Sequence, residues 1–152
     1  MKGTLYWFTG LSGAGKSTIA QAVYKKLKKK SPNLVLLDGD SMRAALNLTS
    51  KNYDTESRKK IGITYSKISE LLTNQGIDVI FATVAMYDEI RLRNRQRINK
   101  YIEIYVKVPI DILIARDKKN LYSKFQINKV NNVVGMDIKF EEPKNPDIVL
   151  NN

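Results

Sequence analysis

Residues Gly10-Leu11-Ser12-Gly13-Ala14-Gly15-Lys16-Ser17 fit the pattern G-x-x-x-x-G-K-[ST] at every position. The spacing suits phosphate chemistry. Glycines let successive backbone N–H groups curl around a phosphate, and a helix that opens at the lysine adds the positive end of its dipole. Lys16 is then placed for β- and γ-phosphates, Ser17 for Mg²⁺, and Thr18 for the same helix terminus. The bland alternative, a glycine-rich turn with an accidental Lys-Ser, would need the flanking strand and helix to be missing, and both are predicted below.

Asp38 and Asp40 form a second candidate pair, standing in Asp38-Gly39-Asp40-Ser41 just beyond an apolar run. One carboxylate can hold a metal-bound water while the other accepts a hydroxyl proton. Phosphoryl transfer asks little more of side chains, because positioning and charge neutralisation supply most of the acceleration. The same four residues are also what helix capping would select. Arg43, Arg58, Arg91, Arg95 and Arg116 are candidates to clamp phosphates through bidentate bonds. With no Cys and no His in the chain, a thiolate nucleophile, a disulfide scaffold, a zinc-thiolate site and a histidine base are all excluded.

The elements that must position these residues follow from the hydrophobic pattern. Leu5 to Thr9 reads as a buried strand ending at Gly10. Apolar residues at intervals of three and four then predict a helix from Ser17 to about Lys30. Leu34 to Leu37 is a second strand, followed by a helix of mixed polarity through Arg43 and Leu46. Glu56 to Gln75 is helical by pattern and Gly76 is its stop signal. Val79 to Ala82 and Tyr101 to Val106 are further strands, Glu89 to Arg97 and Ile110 to Ala115 further helices, and Ile148 to Leu150 a last strand. The stretch from Arg116 to Asn132 is rich in Lys and Asn with little apolar periodicity, which predicts a mobile lid over about 116–135 rather than a core element. Strands alternating with helices predict an α/β fold: three layers, a parallel sheet of about five strands covered on both faces, with the site at the strands' carboxyl ends.

With 152 residues, the chain is one domain's worth. Its 26 Lys+Arg against 15 Asp+Glu give a net charge of +11, which attracts anions without saying which. No run of apolar residues approaches the roughly 18 that span a bilayer, and the N-terminus has no signal-peptide pattern, so the expectation is a cytoplasmic protein without membrane partners. RNA binding would need an aromatic stacking platform, but Tyr6, Trp7 and Phe8 fall in a presumed buried strand. A guanine-nucleotide switch would need Asn-Lys-x-Asp, which is absent.

Read together, Trp7-Phe8-Thr9-Gly10-Leu11-Ser12-Gly13-Ala14-Gly15-Lys16-Ser17-Thr18, Leu37-Asp38-Gly39-Asp40 with Arg43, Glu103-Ile104-Tyr105-Val106, Arg116-Asp117 with Lys119-Asn120-Leu121-Tyr122, and Gly135-Met136-Asp137 with Phe140-Glu141-Glu142-Pro143 resemble the adenylylsulfate kinase family. The resemblance covers nearly the whole chain. It implies a P-loop kinase that uses ATP and Mg²⁺ to phosphorylate the 3′-hydroxyl of a nucleotide, with Lys16, Asp38 and Asp40 catalytic, Arg116 on the ATP, and Arg43, Tyr53, Arg58, Tyr87, Lys124 and Val133 toward the acceptor. It also implies a small-molecule nucleotide partner, a homodimer as the candidate assembly, and a further C-terminal helix usual in the family.

The departures fall on the acceptor side. An Asn and Arg of the family correspond to Ile61, Ile63 and Thr64, a Ser-Pro pair to Ala85-Met86, and an Arg to Asp88. Of an aromatic pair that sandwiches adenine, Tyr53 is kept and Val133 replaces the other. A Gly before Leu-Tyr has become Asn120. Met86-Tyr87-Asp88-Glu89 with Asn94-Arg95 and Asn132-Val133-Val134-Gly135 is similar to a divergent branch of the family found with surface-polysaccharide biosynthesis. In that branch the implied acceptor is cytidine diphosphoramidate; the alternative is adenylylsulfate itself, in sulfate assimilation.

Overall fold

The computed structural model describes residues 1–152 throughout. Five strands form one parallel sheet: β1 (Thr4–Thr9), β2 (Leu34–Asp38), β3 (Asp78–Ala82), β4 (Lys100–Lys107) and β5 (Ile148–Asn151), in the order β2-β3-β1-β4-β5. The helices are α1 (Lys16–Leu27), α2 (Gly39–Ala45), α3 (Thr55–Asn74), α4 (Asp88–Arg97), α5 (Ile110–Arg116) and α6 (Leu121–Gln126), with a short 3-10 turn at Ser50–Asn52.

The strands alternate strictly, and the alternation divides the core in two. Phe8, Ile80, Ala82, Ile104 and Val106 face α1, α5 and α6, while Leu5, Trp7, Val79 and Phe81 face α3 and α4. Side chains at successive strand positions point to opposite faces, so a strand buried on both sides reads as an unbroken apolar run. Trp7 and Phe81 are register partners with ring centroids 5.1 Å apart, and Tyr65 of α3 continues the stack at 4.9 Å from Phe81. This confirms the three-layer α/β fold predicted from the pattern. No helix is long and apolar enough to cross a membrane.

Because all five strands run the same way, their carboxyl ends share one edge. The sheet order reverses at β1, since the chain leaves β1 for β2 and β3 on one side and then passes to β4 and β5 on the other. That reversal opens a crevice at the end of β1, where Gly10 begins the phosphate-loop sequence.

The stretch expected to be a mobile lid is more structured than its composition suggests. It contains α6, and Tyr122, Val133 and Val134 are all buried in the core beside α1 and α5. Tyr122 also donates its hydroxyl to the Ser12 carbonyl at 2.7 Å. Its apolar residues contact distant elements at irregular intervals, which local periodicity does not register.

Two of the expected arginine clamps are structural instead. Arg91, 4 % exposed, pairs with Asp88, donates to the Glu141 carbonyl at 2.6 Å and lies 3.9 Å from the buried Glu103. Arg95 reaches Glu103 at 3.3 Å and Asp147 at 3.2 Å. Burial pushes the Glu103 carboxyl up while the two guanidiniums oppose the shift. Their task is to tie the segment before β5 to α4 and the sheet.

Candidate active site

The crevice at the carboxyl edge is a cavity of about 350 Å³ lined by the phosphate loop, the ends of β2 and β3, α3 and the turn before α6. Its shape begins with backbone geometry. Gly15 has φ 97°, a conformation that favours glycine, and leads directly into α1. Gly10 packs so closely on β4 that a Cβ there would lie 2.5 Å from the Val106 carbonyl oxygen. The N–H groups of Gly13, Gly15, Lys16, Ser17 and Thr18 donate to no acceptor within the protein. Aimed from a helix N-terminus, such amides favour an anion.

Lys16 is 8 % exposed, and its Nζ donates to the Leu11 carbonyl at 2.8 Å, folding back over the loop. Burial lowers its pKa to about 7, with Lys119 nearby adding to the shift and Asp40 and Asp38 opposing it. A negative ligand in the loop would restore the charge.

Asp38 both caps α2 and faces the phosphate loop. Its Oδ1 accepts from the amides of Asp40 and Ser41 at 3.0 and 3.3 Å, capping α2, while its Oδ2 accepts from the Ser17 hydroxyl at 2.6 Å. Ser17 and Asp38 thus bring two hard oxygens together at the end of the loop. Mg²⁺ is commonly held by one or two protein oxygens plus phosphate and water, so the pair fits that ion. No group of three or more acidic side chains able to hold a metal gathers here or elsewhere, so a cation at this pair would share its shell with phosphate and water.

Asp40 lies on the exposed first turn of α2, where Lys119 contacts it at 2.5 Å. Lys118 and Lys119 both line the cavity. Neither was among the candidate site residues, although Lys119 stood in the Lys-Asn-Leu-Tyr motif that carried the resemblance. Asn120 holds φ 51° at the start of α6, a conformation asparagine tolerates better than other side chains.

The far end of the cavity holds Arg43, Tyr53, Arg58, Ile61, Ala85 and Tyr87. The Arg43 guanidinium sits 3.9 Å from the Tyr53 ring centroid and donates to the Asn52 carbonyl at 3.3 and 3.2 Å. Arg58 donates Nε to the Tyr53 carbonyl at 2.6 Å and Nη2 to the Asn132 carbonyl at 2.8 Å. Its Nη1 stays free of protein acceptors. Tyr87 is 3 % exposed and its hydroxyl has no partner, an unusual condition for a buried polar group. Burial raises its pKa.

Five expected positions lie elsewhere. Val133 is turned into the core, anchored by its amide to Asp137 at 2.6 Å, and its neighbour Val134 lines the cavity instead. Lys124 is on the exposed face of α6, away from the cavity, because the face that carries Leu121, Tyr122 and Phe125 packs inward. Arg116, at the end of α5, donates to the Asn152 main-chain oxygen at 3.0 Å and lies outside the cavity lining. Gly10 and Ala14 shape the loop from behind, packed on β4 and buried, while Ser12, Gly13, Gly15, Lys16, Ser17 and Thr18 line the cavity.

The family model for adenylylsulphate kinase matches residues 2–151. A cytidine diphosphoramidate kinase of Campylobacter jejuni is 43% identical over 148 residues, covering 97% of this chain and 85% of the relative. An adenylyl-sulfate kinase of Picosynechococcus is 39% identical over 152 residues, covering 97% and 82%. Among solved structures, the Mycobacterium tuberculosis APS kinase in complex with AMPPNP and APS superposes with a TM-score of 0.88 at 32% identity, covering 98% of this chain and 88% of that one. A phosphate loop with free amides, a lysine folded over it, and this likeness along the whole length lead to one conclusion: the chain belongs to the adenylylsulphate kinase family and is an ATP-dependent phosphotransferase.

Proposed function

We propose that this enzyme phosphorylates the 3′-hydroxyl of a nucleotide, and that its acceptor is cytidine diphosphoramidate. In this reading ATP lies with its phosphates on the loop from Gly10 to Thr18, and the ammonium of Lys16 supplies charge to the transferring group. Ser17 and Asp38 hold Mg²⁺, which when bound neutralises phosphate charge. Asp40 orients the acceptor hydroxyl and takes its proton, which first requires its ion pair with Lys119 to loosen. Both groups of that pair are more than half exposed, so the contact is weak enough to exchange. Tyr53 offers a ring to the base, and Arg58 Nη1 and the Tyr87 hydroxyl are donors for the acceptor's phosphate side.

The observation that carries the choice of acceptor is the aliphatic wall in the lining of the cavity's far end. Ile61, Ala85 and Val134 supply it beside the rings of Tyr53, Tyr65 and Tyr87, and Val133, which stands where the resemblance implies the second ring of a purine sandwich, is turned into the core. The closer identity to the cytidine diphosphoramidate kinase than to the Picosynechococcus adenylyl-sulfate kinase, 43% against 39%, points the same way. The test is a product assay: ATP with adenylylsulfate, cytidine diphosphoramidate, CDP or AMP, following ADP and the 3′-phosphorylated product by mass spectrometry. A specificity for cytidine diphosphoramidate at least about tenfold above adenylylsulfate is expected, needing only ~1.4 kcal/mol of differential binding. Equal efficiency would make the enzyme an adenylylsulfate kinase with neutral substitutions in its wall.

A further inference from the structure

The phosphate loop is held from behind by a residue far from it in sequence. Asn152 follows β5, and three of its groups are engaged. Its amide donates to the Lys107 carbonyl at 3.1 Å, its main-chain oxygen accepts from Arg116 Nη2 at 3.0 Å, and its side-chain Nδ2 donates to the Ala14 carbonyl at 2.9 Å. Ala14 is fully buried. The first main-chain bond into α1 runs from the Ile19 amide to the Gly15 carbonyl at 3.0 Å, so the Ala14 carbonyl gets no partner from the helix. The Asn152 carboxamide supplies it. A buried carbonyl without an acceptor role filled is costly, so this bond fixes the plane of the Ala14–Gly15 peptide. That peptide's N–H is one of the free amides facing the cavity. Gly15 has a second reason to be glycine here, since a Cβ on it would stand 2.6 Å from Asn152 Nδ2.

We propose that Asn152 is a positioning residue for the donor nucleotide, which aims the Gly15 amide through the Ala14 carbonyl and links the loop to Arg116 and the end of β4. The inference rests on the reading that ATP phosphates lie on this loop. Losing one neutral hydrogen bond of this kind corresponds to a few-fold up to about tenfold in affinity.

The experiment compares wild type with Asn152→Ala, Asn152→Asp and Lys16→Ala. It measures AMPPNP binding with Mg²⁺ by calorimetry, and kcat and KM for ATP with the best acceptor from the panel above. Asn152→Ala is expected to weaken AMPPNP binding and raise KM for ATP about three- to tenfold, with kcat and acceptor KM within twofold. Asn152→Asp should be worse, because its carboxylate meets the Ala14 carbonyl oxygen where a donor stood. Thermal melts separate a folding defect from a local one, and a KM effect at an unchanged melting temperature is the expected signature. Wild-type AMPPNP affinity in both Asn152 variants would overturn the proposal, as would a loss confined to kcat. If Lys16→Ala also bound and turned over normally, the loop reading itself would fall; a dead Lys16→Ala beside normal Asn152 variants would sink only the positioning role.

Discussion

The phosphate loop takes its shape from eight consecutive residues, whereas the opposite end of the same cavity is assembled from side chains as far apart in sequence as Arg43 and Val134. The loop works mainly through backbone amides, whose direction is fixed by glycine torsions and by the start of α1. The far end works through side chains, each carried by a different element: Arg43 on α2, Arg58 and Ile61 on α3, Ala85 and Tyr87 beyond β3. A main-chain anion site tolerates little change, because any Cβ in the wrong place closes it. A side-chain pocket can be rebuilt one residue at a time without disturbing the fold. The departures expected from the sequence accordingly fall at the acceptor end, where side chains can be exchanged, and not in the loop, whose pattern is complete.

That contrast is sharpest at Lys16. Lys16→Ala is expected to reduce turnover by at least about a hundredfold, as loss of one charge on a developing transition state is worth several kcal/mol. Because the residue is on a loop, the melting temperature should change little. A variant keeping more than about a tenth of wild-type rate would break the assignment of the loop as the donor end.

The two aspartates probe the boundary between the ends. Asp40→Asn should lower kcat by roughly ten- to a hundredfold while AMPPNP affinity stays within about threefold, in line with general-base contributions. Asp38→Asn should instead shift the Mg²⁺ dependence with little change in stability, because an asparagine Oδ1 caps α2 about as well. Equal and small effects from both would leave Asp38 with capping alone.

At the acceptor end, Tyr53→Ala should raise acceptor KM by about five- to tenfold or more, with KM for ATP unmoved, since a stacked base is worth ~1–3 kcal/mol. Arg43 already covers the ring at 3.9 Å from its centroid. If Tyr53→Ala and Arg43→Ala both left acceptor KM unchanged, the pair would be a structural stack and the base would lie elsewhere.

The smallest expected effect is a proton count. The Lys16 pKa is lowered to about 7 by burial, with Lys119 contributing. Bound phosphate favours the ammonium and raises that pKa, so between the free and bound values nucleotide binding takes up a proton. Calorimetric titration of AMPPNP at pH 8 in buffers of different ionisation enthalpy should therefore show uptake of a fraction of a proton to one proton. Affinity should fall as pH rises above about 7. Proton release, or no exchange, would mean that Lys16 is already charged in the free loop.

Local pattern determined a great deal here. Alternating apolar runs and helical spacing located all five strands and the longer helices within a few residues, because buried parallel strands and amphipathic helices write their burial directly into sequence. The loop from Gly10 to Ser17 was legible for the same reason: its function depends on torsions and short-range spacing. The Asp38–Ser17 contact was not legible in this way, because it depends on the sheet order, in which β3 lies between β1 and β2. What only the tertiary structure decided were the contacts set by packing across the molecule. It placed Val134 rather than Val133 on the cavity, took Lys124 to the outside of α6, and spent Arg91 and Arg95 on Glu103 and the segment before β5. It made Tyr122 and the valines of the presumed lid part of the core, and brought Asn152 onto Ala14. A residue's choice between site and scaffold is made by partners dozens of positions away, and a one-residue step in a loop reverses which way a side chain points. Short-range spacing carries no record of either.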